Sequence, residues 1–170
     1  MVTSNHVHLL VADAGDRAAI PRSMQLAAGR TGQEYNQRKA RKGAFWQDRY
    51  HATAVDTDRH LLQCLVYIDL NMVRAGVIAH PEEWIFSGYR EIQQPRRKCA
   101  LIAYKRLAEL AGFGAYDQFA AAHRNWVEAY LEDGGCIRED RWTQSIAVGG
   151  VIAGFEKPSY IPYLKHNCET

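Results

Sequence analysis

Disulfide and zinc frameworks are the first classes for which this chain lacks the residues. Its four cysteines, Cys64, Cys99, Cys136 and Cys168, stand far apart with no CxxC pair, an arrangement that suits a reducing cytoplasm. No apolar run approaches the roughly 18 residues a membrane span needs, and the N-terminus lacks the charged-then-apolar order of a secretory signal. The chain therefore reads as soluble and cytoplasmic, with no membrane partner. No GxxxxGK phosphate loop occurs, so no nucleotide-driven step is expected. Internal repeats and low-complexity tracts are also missing. So is an excess of one charge: 21 Lys and Arg face 19 Asp and Glu, a formal +2. What bias exists is positional, since residues 1–98 carry 14 basic against 10 acidic side chains and residues 99–170 carry 7 against 9. A net +4 in the first part does not by itself identify a nucleic-acid binder.

With 47% of its 170 residues hydrophobic, the chain can bury a core, as one domain or as one domain with an appendage. Residues 2–12 read as one strand, His6-Val7-His8-Leu9-Leu10-Val11 being rich in β-favouring types. Alternate strand residues share a face, so His6 and His8 project together. Two imidazoles so placed are half of a divalent-metal site, although HxH spacing alone is common and weak. Residues 13–16 form a turn, and Pro21 then suits the first turn of a helix running to about Arg38. Ile20, Met24, Ala27, Ala28, Thr31 and Tyr35 recur at three and four as its core stripe, which leaves Arg22, Arg30 and Arg38 on the exposed side.

The following segment, 36–43, sets Arg38, Lys39, Arg41 and Lys42 ahead of a glycine. It is a solvated loop or a phosphate-contacting one, since clustered Lys and Arg displace condensed counterions from a nucleic-acid backbone. Phe45, Trp46 and Tyr50 come next, and such aromatics either pack in a core or stack on unpaired bases. We assign Trp46 to packing and Arg49 to a DNA contact. Residues 51–55 read as a second strand, antiparallel to the first. A helix then opens near Asp56, Thr57 and Asp58, any of which can cap it. It closes with Arg74 and with Gly76 in the C′ place. Leu61, Leu62, Leu65, Ile68 and Met72 supply its sheet-facing side. Tyr67 and Asn71, four apart, sit one above the other, where a phenol and a carboxamide can meet two strand histidines across a packed layer.

This combination carries a resemblance. NHVHLL followed by YIDLNMVRAG is similar to the HUH single-strand transposases with one catalytic tyrosine, and more closely to the REP-associated tyrosine transposases of the IS200/IS605-like superfamily. Residues 24–55 and EEWIFSGYREI at 82–92 extend it, so that it runs from about residue 2 to about 149. That family carries a strand–helix–strand segment ahead of the HUH strand. Here the chain starts almost at the histidines, so the resemblance implies an N-terminally truncated domain. The implied fold is α+β: a ferredoxin-like antiparallel sheet with helices on one face, its first strands missing, over residues 1–95. A C-terminal helical appendage with an irregular tail is expected at 96–170. Helical periodicity at 101–111 and 116–132, broken by Gly112-Phe113-Gly114, fits the appendage. Trp84 and Tyr89 are expected as structural anchors, and Pro95 with Arg96-Arg97-Lys98 as a basic linker.

The chemistry implied is transesterification of DNA. A tyrosine hydroxyl has a pKa near 10, so only about one part in a thousand is ionised at pH 7. It needs help. By resemblance, Tyr67 is the nucleophile, while His6, His8 and Asn71 hold a divalent metal, Mg²⁺ or Mn²⁺, that polarises the scissile phosphate. Two neutral imidazoles and an amide oxygen leave coordination positions for phosphate oxygens. The expected product is a 5′-phosphotyrosine link with a free 3′ hydroxyl. Arg30, Arg38, Lys39, Arg41, Lys42 and Arg49 are the expected contacts to single-stranded or hairpin DNA, in a site built within one chain or shared across a homodimer. Tyr35, Tyr50 and Tyr89 compete for the nucleophile role, but only Tyr67 has an Asn four residues on. Asp69 and Gln63 are expected behind the site. Two other classes stand beside this one: a remnant that binds hairpin DNA without cutting it, and a metal-dependent nuclease in which water attacks.

Overall fold

Few residues form strands, and those that do meet in one four-stranded sheet. The computed structural model describes residues 1–12, 15–56, 59–98 and 100–133, together with the backbone of Ala147–Val148 and Ser159–Lys165. β1 (His6–His8), β2 (His51–Val55), β3 (Ala147–Val148) and β4 (Ser159–Lys165) lie in the order β1-β4-β2-β3. β4 is antiparallel to both neighbours, with Tyr163 opposite His8 on one side and His51 on the other. β3 runs parallel to β2. The mixed helix-and-strand composition is that of an α+β protein.

Three expectations change here. The tail expected to be irregular contains β4, which hydrogen-bonds to two strands at once. Pro162 hid it: proline removes a ladder donor and normally argues against a central strand, yet it stands opposite Ala52 in the register. Next, β1 and β2 are not antiparallel neighbours, because β4 lies between them and satisfies the backbone of each. Finally, residues 2–12 are not one strand. Residues 1–3 fold back on β1, Val2 bridging Val7, because the Thr3 hydroxyl accepts from the His6 amide at 3.1 Å and donates to the His6 carbonyl at 2.9 Å.

α1 (Ala19–Arg38) carries Pro21 in its first turn, as expected. Its covered line is narrower than the expected stripe: Met24 and Gly32 are buried and Ile20, Ala28 and Tyr35 half-buried, while Ala27 and Thr31 are exposed. Spacing of four along a straight helix gives a single ridge, and here only one small layer covers it. Phe45 packs on Tyr35 with ring centres 4.7 Å apart. Gly32 lets it approach, since a Cβ there would meet the Phe45 Cβ at 3.2 Å. The Trp46 indole donates to the Ala28 carbonyl at 2.8 Å.

The helix expected across 59–76 is two pieces, α2 (Arg59–Asp69) and α3 (Asn71–Arg74), broken at Leu70 with φ −79° and ψ 2°. Of the expected caps, Thr57 and Asp58 lie outside the described residues. α3 ends as its sequence predicts: Gly76 has φ +68°, and the Gly76 and Val77 amides donate back to the Val73 and Met72 carbonyls. α2 is apolar nearly all round, which demands burial on more than one side. Cys64, Tyr67 and Ile68 pack with Met72 and Val55. Leu61, Leu62 and Leu65, expected on the sheet side, instead meet Ile92, Ala108 and Phe119.

Those partners come from α4 (Tyr89–Gln93), α5 (Tyr104–Leu110) and α6 (Tyr116–Glu132). The core of α2 thus runs across the boundary expected at residue 95. The linker there is clasped by Glu91, which accepts from the Leu101 and Ile102 amides and the Tyr104 hydroxyl and pairs with Arg96 at 3.2 Å. Tyr89 is buried, and the Trp84 indole donates to the Val2 carbonyl at 2.8 Å. Residues 140–146 and 149, where the resemblance continued, lie outside the described residues. Among the described residues no helix is long and apolar enough to cross a membrane.

Candidate metal and nucleophile site

The backbone of β1 fixes the first half of the site. His6 and His8, two apart on one strand, bring their rings to 4.8 Å at an interplanar angle of 85°. Asn5 turns the first ring. Its Oδ1 lies 2.7 Å from His6 Nδ1, and accepting the proton there leaves the Nε2 lone pair for another partner. A ligand histidine is normally held in this way, through its far nitrogen.

The second half comes from the break between α2 and α3. Asn71, first residue of α3, sets its amide nitrogen 3.1 Å from His8 Nε2. Turning that amide by 180° presents Oδ1 at the same place, which is what a cation shared with His8 requires. The polar groups brought together there are two imidazoles and one carboxamide. Among the described residues no group of three or more His, Cys, Asp and Glu could hold a metal. Tyr67 reaches the same histidine from the last turn of α2: the ring centres are 6.3 Å apart and nearly perpendicular. The structure therefore gathers His6, His8, Asn71 and Tyr67 around one strand end.

Sequence reasoning used Arg74 only to close the helix. Its guanidinium lies over the Tyr67 ring, 4.1 Å from the centre, and also donates to the Tyr67 carbonyl. The signal was present as a spacing of seven, two helical turns, within YIDLNMVR. Asp69, expected behind the site, pairs with His123 at 3.2 Å. Burial, and then the charge of Asp69, push the thiol of Cys64 well above its usual range. Gln63 is half-buried.

The basic residues are spread along a separate element. Arg30 and Arg38 are exposed on α1, Lys39, Lys42 and Arg49 are exposed beyond it, and Arg41 is half-buried. The turn that presents them is shaped by Ala40 and Gly43 at positive φ, 48° and 97°, and by the Asn36 amide donating to the Gly43 carbonyl at 2.8 Å. Phe45 is buried and Trp46 half-buried against α1. Of the competing tyrosines, Tyr35 packs on Phe45, and Tyr89 lies between His80 and His123.

With this geometry in hand, the chain can be compared with known proteins. Residues 1–71 match the family described as Transposase IS200 like. The matched stretch takes in β1, α1, the basic turn, β2 and α2, and it ends on Asn71. It supports a transposase function and DNA as a partner for this IS200-like segment. No curated protein and no solved structure matches the chain.

Proposed function

We propose that the protein is a tyrosine transposase of the HUH type, close to the REP-associated group, acting on single-stranded or hairpin DNA. The observation that carries this reading is that His6, Asn71 and Tyr67 all lie beside His8, the last two from helices more than fifty residues further along the chain. The Tyr67 oxygen attacks the scissile phosphorus in line. The new bond is O–P to tyrosine, the broken one is P–O3′, and the leaving 3′ oxygen takes up a proton as the phenol loses its own. The product is a 5′-phosphotyrosine and a free 3′ hydroxyl, whose later attack on the same phosphorus rejoins strands.

Arg74 lies over the Tyr67 ring and holds it in place. Asn5 orients His6, and the helix break at Leu70 sets Asn71 against His8. These residues fit a divalent cation, which when bound supplies positive charge to the phosphate oxygens. The exposed Arg30, Arg38, Lys39, Lys42 and Arg49, with Arg41, would track the phosphate backbone. A ferredoxin-like plan and assembly as a homodimer belong to the same reading.

A second reading, DNA binding without cleavage, draws on one feature: Tyr67 is only 7% exposed, so substrate must open a path to its hydroxyl. The two are separated by incubating the full chain with labelled single-stranded hairpin DNA and Mn²⁺ and resolving the products on a denaturing gel. A covalent adduct that disappears in Tyr67→Phe is expected. Binding with no adduct selects the second reading, and strand cleavage without an adduct selects water as the nucleophile.

A further inference from the structure

The face of α2 that carries Asp69 holds a buried polar chain that the proposed chemistry does not use. Asp69 is 2% exposed and His123, on α6, is 0% exposed. Asp69 Oδ2 and His123 Nε2 lie 3.2 Å apart. Neither atom is aligned for a hydrogen bond, and neither has another partner among the described residues. A buried carboxylate is costly unless polar or charged groups face it; the His123 imidazole is one such group, and the Met1 ammonium also feels the charge of Asp69.

Three further contacts decide which edge of that ring faces the acid. Arg124 Nε donates to Gln93 Oε1 at 3.1 Å, which fixes the amide orientation. The Gln93 nitrogen is then free to donate to the Ala120 carbonyl and lies 3.2 Å from His123 Nδ1. Nδ1 must accept there, so the ring proton sits on Nε2, toward Asp69. Phe119 stacks on one face of the imidazole, with ring centres 6.0 Å apart, and Tyr89 leans on it at 5.6 Å. Rotation is closed off.

Asp69 stands midway between Tyr67 and Asn71, at the helix break that aims them. We infer that His123 is a positioning residue for this site, acting through Asp69 to fix the rotation of α2 and hence the approach of Asn71 to His8. Helix α6, outside the matched segment, is then part of the working unit. The inference deepens the proposed function and rests on it.

The test uses the full chain and reads Mn²⁺ affinity and single-turnover adduct formation well below the thermal midpoint. His123→Phe keeps the ring stack and removes the N–H, whereas His123→Gln keeps an amide donor within reach of Asp69. Removing a group that orients a metal ligand typically weakens metal affinity by about 10- to 100-fold. His123→Phe should therefore lose about tenfold or more in Mn²⁺ affinity and in adduct rate, and His123→Gln should recover most of both. Gln93→Leu frees the tautomer while leaving the ring in place, and should lose about threefold; it decides the matter if His123→Phe does not fold. Unchanged affinity and rate in His123→Phe, or equal losses in the Phe and Gln variants that follow their thermal midpoints, would overturn the inference. A wild-type chain that neither binds Mn²⁺ nor forms the adduct would overturn the proposed function itself.

Discussion

Helices α1 and α2 lie in the same matched segment and differ in almost every physical respect. α1 runs for 20 residues and fully buries two of them, while α2 runs for 11 and buries eight. α1 holds its place by one ridge, a glycine against Phe45 and an indole hydrogen bond, and turns the rest of its surface, Arg30 and Arg38 included, to solvent. α2 is enclosed by the sheet on one side and by α4, α5 and α6 on the other. Each polar group it carries inward therefore has an assigned place: Tyr67 by His8 and under Arg74, Asp69 against His123. The contrast teaches where precision resides. A helix closed in on all sides holds its polar side chains in set places, whereas a helix anchored along one edge leaves its charges to solvent.

The comparison is broken most severely by removing β4. Deleting residues 159–170 exposes the facing backbones of β1 and β2 as unpaired edges. We expect more than about 4 kcal/mol of lost stability, or aggregation, seen as loss of a cooperative thermal transition; a midpoint within a few degrees of the full chain would show that the sheet does not depend on β4. Next, Phe119→Ala should destabilise by about 3–5 kcal/mol in urea unfolding, since this ring closes the α2–α6 side. Replacing Lys39, Arg41 and Lys42 with alanine should leave the thermal midpoint nearly unchanged. It should flatten the dependence of log DNA affinity on log salt by about 2, at roughly 0.7 per lost phosphate contact; an unchanged slope would remove this turn from the DNA surface.

Alkaline pH should act on the packed side. Burial, and then the charge of Asp69, raise Cys64; burial, and then neighbouring acids such as Glu128, raise Tyr89; burial, and then Tyr104, raise Tyr116. Their unfolded counterparts, with values of 9.0 for the thiol and 10.0 for the phenols, release protons first. Between about pH 9 and 10.5 the unfolded chain then binds fewer protons than the folded one, and stability falls as pH rises. The slope is bounded by about 1.4 kcal/mol per pH unit for each fully titrating group. Cys64→Ala should make the decline in thermal midpoint shallower. The smallest effect belongs to α1: Leu26→Ala, at a side chain 64% exposed, should change stability by no more than about 0.5 kcal/mol.

Local rules made part of this legible. Pro21 opening α1, the β2 span, Gly76 ending α3, and helices near 101–111 and 116–132 depend on near neighbours, and the structure places them where the spacing puts them. The two-residue period that sets His6 beside His8 is local in the same sense. The contact of Arg74 with Tyr67 escaped notice because an arginine over a ring two turns away looks like any basic residue in a last helical turn. β4 escaped because Pro162 contradicts local strand propensity, and only the open backbones of β1 and β2, more than a hundred residues earlier, give the segment a reason to extend.

The amino-acid order alone determined which chemical groups are available, which of them share a strand or a helix, and where each helix can start and stop. Tertiary structure alone decided that Leu61, Leu62 and Leu65 leave the sheet for α6, that Asp69 finds His123, and that Asn71 meets His8. The reason is physical: periodicity assigns a residue to a face, but a face buried all round has several possible neighbours. Only the simultaneous packing of distant segments, with every buried polar atom needing a partner, selects among them.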